Sequence, residues 1–292
     1  MRLFDAHTHL WDRQFDADRA EVIRRMEEAG VGAIQVGTEF KTSEAAIALA
    51  EANESFWATV GQHPTDTNTV FDAAAFEKLA AHPNVVAIGE CGLDYYAIFA
   101  RERSERSQKR ASAKAFSDGG LTEEKKRQEN IFRSQIRLAK KLAKPLMIHC
   151  RPSLLRQLAD SGGQAVAYSA DAYDDVLKIL AEEHFEGGGA AHFFVGTSDI
   201  ARRFLDVGFC ISFSGVITIT PMYDEVARAV PADKILIETD APYAAPMPYR
   251  GTRNEPPYVK EVAKRLAEIR GATSEEIAEQ TAENAKRIFR LQ

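Results

Sequence analysis

LFDAHTHL, residues 3 to 10, is a short apolar run that closes on two histidines. His7 and His9 are two residues apart, so on a strand both side chains point to one face. The same ending recurs along the chain. NVVAIGE (84–90) finishes on Glu90, KPLMIHC (144–150) carries His149, GGGAAHFF (187–194) carries His192, and KILIETD (234–240) finishes on Asp240. In parallel α/β barrels the functional site lies at the C-terminal ends of the strands, so ligands placed there converge. Placement, more than residue type, carries the fold prediction.

Three further runs, GAIQVGT (32–38), FWATVGQHP (56–64) and GFCISFSG (208–215), bring the strand candidates to eight. Helical patterns lie between them. Val22, Ile23 and Met26 recur at helical spacing and Gly30 closes that segment; Ile131, Phe132, Ile136, Ala139 and Leu142 form a stripe after the N-cap candidate Thr122. Thr273 with Glu276 is a capping-box pattern that opens a last helix through Ile277, Thr281 and Ile288. The alternation predicts an α/β fold, a TIM (β/α)8 barrel, as one domain over the 292 residues, and the metal-type ligands at the strand ends make it of the metal-dependent hydrolase type. Two connections, near 95–120 and 152–170, exceed ordinary barrel loops. Both follow strands on the C-terminal face and are candidates for a lid or a substrate wall.

A composition of 45% hydrophobic and 27% charged residues is that of a soluble globular enzyme, and no apolar run approaches a membrane span. The chain reaches Asp5 and His7 at once, leaving no room for a signal peptide, so a cytoplasmic location is expected. Cys91 and Cys150 fall on strand faces opposite Glu90 and His149; with Cys210 they read as buried structural thiols. A net charge of −6 argues against wholesale adhesion to nucleic acid but leaves room for a nucleic-acid substrate held locally. Residues 101–127 hold nine Lys or Arg against five acids, either a solvated loop or a phosphate clamp.

The ligand types suggest a binuclear centre: His7, His9 and Asp240 on one ion, His149 and His192 on the other, and Glu90 between them. Paired ions stabilise attacking and leaving oxygens in hydrolysis and lower the pKa of bound water. Asp240 is the candidate base, and His63, in GQHP, a candidate to steady an oxyanion or protonate a leaving group. Arg151 and Arg253 are candidate substrate contacts, and Asp94 a residue that orients a ligand. His82 and His184 precede strands and are given no role.

DAHTHL, GQHP, GECGLDYY, PLMIHCR, HFFVGT, ETDAPYAAP and RGTRNEPPYV, in that order, with TAENAKRIF near the C-terminus, resemble the successive motifs of the TatD family of metal-dependent hydrolases. The resemblance spans essentially the whole chain. It implies a TIM-barrel deoxyribonuclease, often a 3′ to 5′ exonuclease on single-stranded DNA, using magnesium or another divalent ion. The family's ligands carry over onto His7, His9, Glu90, His149, His192 and Asp240, and its active-site histidine onto His63. The chain departs from the pattern in three places: residues 152–170 look added, the stretch after Tyr96 looks expanded, and Val195 stands where serine is common. Four imidazoles suit zinc, manganese or cobalt better than magnesium. The expectation is therefore two divalent ions, Mg, Mn or Zn, in a monomer with DNA as substrate and no obligate protein partner.

Two other readings compete. A small-molecule amidohydrolase, esterase or phosphotriesterase-like enzyme could use the same site, but such enzymes often bridge their metals with a modified lysine on strand 4, and here that strand ends Ile88-Gly89-Glu90. A binding module that lost turnover would bury this ligand set without a metal, at a cost in unpaired charge.

Overall fold

The computed structural model describes residues 3–98, 100, 118–154, 157–158, 165–167 and 169–291. Its strands are β1 (Leu3–Thr8), β2 (Val31–Val36), β3 (Phe56–Val60), β4 (Val85–Asp94), β5 (Leu146–Arg151), a short pair β6 (Gln157–Leu158) and β7 (Ala165–Ala167), then β8 (Gly189–Ala191), β9 (Phe209–Phe213) and β10 (Ile235–Ile237). Eight of these form one parallel sheet in the order β1-β2-β3-β4-β5-β8-β9-β10, while β6 and β7 make a separate antiparallel ribbon. The sheet curls until its edges meet. The Asp240 N–H donates to the His7 carbonyl at 2.9 Å and the His9 N–H to that of Ala241 at 2.8 Å, so the seam closes just beyond the strand ends.

Alternation along the strands sorts apolar residues into two shells. Ala33, Ala58, Ile148, Ile211 and Ile237 face outward and pack in the large core beneath the helices. Ile34, Met147, Ala190, Cys210 and Leu236 belong to a second cluster that fills the barrel. The helices are α1 (Arg19–Ala29), α2 (Phe40–Ala52), α3 (Ala73–Ala80), α4 (Asp118–Leu142), α5 (Asp171–Glu182), α6 (Ser198–Asp206), α7 (Asp224–Ala229), α8 (Val259–Arg270) and α9 (Ser274–Phe289). Helix α1 ends on Gly30 at φ 65°, and α9 starts with a reciprocal capping box between Thr273 and Glu276. Helix α9 also contributes Ala282, Ala285 and Phe289 to the cluster that fills the barrel. Cys91 and Cys150 lie in the outer core and Cys210 inside the barrel, all three free and buried.

Two bulges aim the functional residues. Between Asp5 and Thr8, β1 spends three steps where β2 spends two, and between Ile88 and Cys91, β4 does the same against β5. An extra residue reverses the side-chain alternation. Phe4 can therefore point into the barrel, against Trp57, while His9 lines the cavity above it and His7, buried beneath, meets His9 and Glu90.

Several expected boundaries move. The runs ending in His192 and Asp240 are strand only over β8 and β10, so both ligands stand on the loops that leave the barrel, as does His9. Strand β4 continues to Asp94. Thr122 is not an N-cap, because α4 already begins at Asp118; an amphipathic helix, once nucleated, extends cheaply over Glu and Lys residues. Most of the 95–120 connection, most of the 101–127 basic stretch and much of 152–170 lie outside the described residues. Within the last, the ribbon β6–β7 stands where only a loop was expected.

Candidate metal centre and active-site cavity

At the C-terminal mouth of the barrel, β1, β4, β5 and the loops after β1, β8 and β10 bring six donors together. His7 Nε2 and His9 Nε2 are 3.1 Å apart, and Asp240 Oδ1 lies 3.2 Å from the second and 3.6 Å from the first. Glu90 divides its oxygens. Oε2 faces His7 and His9 at 3.4 and 3.7 Å, whereas Oε1 meets His149 Nδ1 at 2.8 Å and His192 Nε2 at 2.9 Å. The last two nitrogens are 3.3 Å from each other. His63 joins from the loop after β3: its Nε2 is 3.3 Å from His149 Nδ1 and 3.5 Å from Glu90 Oε1.

These separations fit a divalent ion. Donors bound at about 2.0–2.1 Å around a tetrahedral ion are roughly 3.3 Å apart; His7, His9 and Asp240, at 3.1–3.6 Å, bracket that spacing, while Glu90 Oε1 sits closer to His149 and His192, at 2.8 and 2.9 Å. The far nitrogens are fixed as well. His9 Nδ1 donates to the Val36 carbonyl at 2.8 Å, His149 Nε2 lies 3.2 Å from Asp94, and His192 Nδ1 lies 3.1 Å from Glu238. An acceptor on the remote nitrogen holds each ring with its near lone pair toward the centre. His7 differs: its Nδ1 is buried without a partner, and its ring stacks on His192 at 3.8 Å.

The electrostatics call for positive charge at this place. Burial would raise the Glu90 carboxyl, but His192, His63 and His7 outweigh it and hold Glu90 well below the carboxylate range. Burial opposes charge on His149, yet Asp94 and Glu90 raise it to about 9; His192 is raised in the same way by Glu90 and Glu238. Burial and neighbouring imidazoles instead lower His7 to about 3 and His63 to about 4. The buried carboxylates thus draw either protons or a cation, and both occupy the same nitrogens.

Above the donors opens a cavity of about 720 Å³, within the range of small-ligand sites. One wall is aromatic, with Trp11, Phe193, Tyr223 and Tyr243; the other is polar, with Thr38, Thr65, Asp66 and Arg151. Phe193, Asp240 and Ala244 line it with φ of 46°, 57° and 51°, left-handed values that cost a non-glycine residue about 1 kcal/mol or more and recur at functional sites.

Arg151 reaches this cavity and lies over the Tyr96 ring at 4.1 Å. Arg253 does not. Its guanidinium is held by both Asp18 oxygens at 2.7 and 2.6 Å and by Glu255 at 2.9 Å, over the Phe15 ring, so it braces the loop after β1 to the segment before α8. His82 is paired with Glu51 on the surface, away from the cavity. Glu238 escaped sequence reading. It is fully buried and accepts from the Phe193 N–H at 2.7 Å and the Ser212 hydroxyl at 2.5 Å, besides facing His192. The signal was parity, since Glu238 stands two residues before Asp240 on the same strand exit. Asp5, buried two residues before His7, accepts from the Thr239 N–H at 2.9 Å and was also missed.

The family model described as TatD related DNase matches residues 4–290. A Bacillus subtilis protein named uncharacterized metal-dependent hydrolase YabD is 39% identical, covering 99% of both chains. The 3′-5′ ssDNA/RNA exonuclease TatD of Pantoea vagans is 33% identical over 99% of this chain and 100% of its own. Among solved structures, the TatD homologue YjjV of Escherichia coli superposes with a TM-score of 0.79 at 25% identity, covering 100% of this chain and 99% of its own.

Proposed function

The chain belongs to the TatD family of metal-dependent hydrolases, and from that premise we propose that it is a nuclease removing nucleotides from the 3′ end of single-stranded DNA. The observation that carries the reading is Glu90, whose Oε2 faces His7 and His9 while its Oε1 meets His149 and His192 at the mouth of the barrel. His7, His9 and Asp240 would hold one divalent ion and His149 and His192 a second, with Glu90 shared; Mg, Mn and Zn are the candidates. Bound there, the ions would activate water and offset the charge of a phosphodiester.

The chain's own residues do the rest. Asp240 projects from a left-handed turn into the cavity and accepts the proton of the attacking water. His63, neutral near pH 7 because burial lowers it, offers an N–H to charge developing on the leaving side. Arg151 receives a phosphate oxygen from the polar wall. No helix among the described residues is long and apolar enough to cross a membrane. A cytoplasmic monomer completes the reading, testable by cell fractionation and sedimentation.

The test is a time course on 5′-labelled single-stranded DNA with magnesium or manganese, comparing wild type with Asp240→Asn. A ladder that shortens from the 3′ end and slows about a hundred- to ten-thousand-fold in the variant is expected. Intact DNA with metal-loaded wild type would move the search to small esters or amides.

A further inference from the structure

Trp11 and Tyr243 stand on the side of the cavity that also holds His9 and Asp240, away from Arg151. Both rings meet His9 edge to face, with centroids at 5.3 and 6.2 Å and interplanar angles of 75° and 66°. Their polar atoms are already used within the protein. The Trp11 Nε1–H donates to the Val36 carbonyl at 2.7 Å, and the Tyr243 hydroxyl pairs with Asp12 at 3.2 Å. Each ring is thereby fixed in orientation, and what remains for a ligand is π surface. Tyr243 is 50% exposed although it lines the cavity.

Aromatic faces beside a metal-type floor suit a flat ligand that is apolar on its faces and anionic at one end. A nucleotide of an unpaired strand has that chemistry; a duplex hides its base faces.

We propose that Trp11 and Tyr243 form a stacking subsite for the nucleobase next to the phosphate being cleaved. The inference rests on the nuclease reading and deepens it. The subsite selects unpaired nucleotides without reading base identity, because every base has a π face while the hydrogen-bonding atoms of both rings are occupied.

The experiment is a cycle of protein variant against base removal. Wild type, Tyr243→Leu and Tyr243→Phe are each given single-stranded oligonucleotides that are intact, or that carry one abasic residue on either side of the first bond cut. For wild type, one abasic position should lower kcat/KM by about tenfold or more, in line with the worth of one base–aromatic stack. Tyr243→Leu should cut the intact strand as slowly as wild type cuts the abasic one, with no further loss on removing the base. Tyr243→Phe, which keeps the ring and gives up the hydrogen bond to Asp12, should behave as wild type. If Tyr243→Leu slows intact and abasic strands equally, or Tyr243→Phe is equally impaired, the residue supports the loop and the subsite is refuted while the nuclease reading stands. If wild type cuts none of the strands, the nuclease reading falls and the subsite with it.

Discussion

Glu238 is the residue on which the second half of the centre depends, although it points away from the cavity. It is a buried carboxylate that accepts from the Phe193 N–H and the Ser212 hydroxyl while fixing His192 Nδ1. Glu238→Gln keeps the volume but puts an N–H where an acceptor is needed, opposite donors. The expected result is a protein that folds and binds a divalent ion about 10–100-fold more weakly, with activity recovered at high metal concentration. Competition titration with a metal indicator gives the affinity; an unchanged value would reduce Glu238 to packing. The ligands themselves were legible because a histidine or carboxylate at the end of an apolar run is a local signal. Glu238 is masked by the same run, since E-T-D reads as one polar strand exit whose cavity position is taken by Asp240. Arg253 misled for the opposite reason: its partner Asp18 is remote in sequence, and nothing near 253 reveals the pair.

At the level of the elements, β4 has little freedom at Gly92. Gly92 adopts φ 137°, and a Cβ there would stand 2.0 Å from the carbonyl oxygen of His149 on β5. That closeness lets Glu90 and Asp94 reach His149 from the neighbouring strand. Gly92→Ala should cost about 3–5 kcal/mol, backbone strain added to overpacking against main chain. Urea unfolding would show it as a fall in midpoint, and a wild-type midpoint would mean that β4 and β5 can part without penalty. Sequence revealed the eight strands and their parallel order because each run is apolar and bounded by turn residues. It did not reveal the bulges in β1 and β4, which depend on pairing with β2 and β5 and leave no local pattern. The expectation that His7 and His9 share a face was sound, but simple alternation from an inward Phe4 would have turned His7 outward. The ends of β8 and β10 were read too long because His192 and Asp240 continue the apolar runs after the ladder has stopped.

Over the whole molecule the difficulty for a nuclease is its charge. The net balance is −6, and several described cations already hold acids elsewhere on the fold: Arg133 and Arg137 on Glu183, Arg265 on Asp224, Arg253 on Asp18. Among the described cavity-lining residues Arg151 is the sole Lys or Arg, enough to orient one phosphate and too little to draw in a strand. Residues 101–114, which carry six Lys or Arg against two Glu, follow β4, whose C-terminal residue Asp94 lines the cavity. We propose that long-range attraction falls to that segment, whose charges would act over about 8–10 Å at physiological ionic strength. Deleting 101–114 should raise KM for oligonucleotides several-fold and flatten the dependence of log(kcat/KM) on log[salt]. The slope should become shallower by about 0.7 for every phosphate that the segment neutralises in the wild type. Hydrolysis of a mononucleotide p-nitrophenyl ester, which has no distant phosphates, should be unaffected. Equal impairment on both substrates would make the segment a scaffold for β4 and α4; unchanged kinetics on either would mean that the cavity captures its strand unaided.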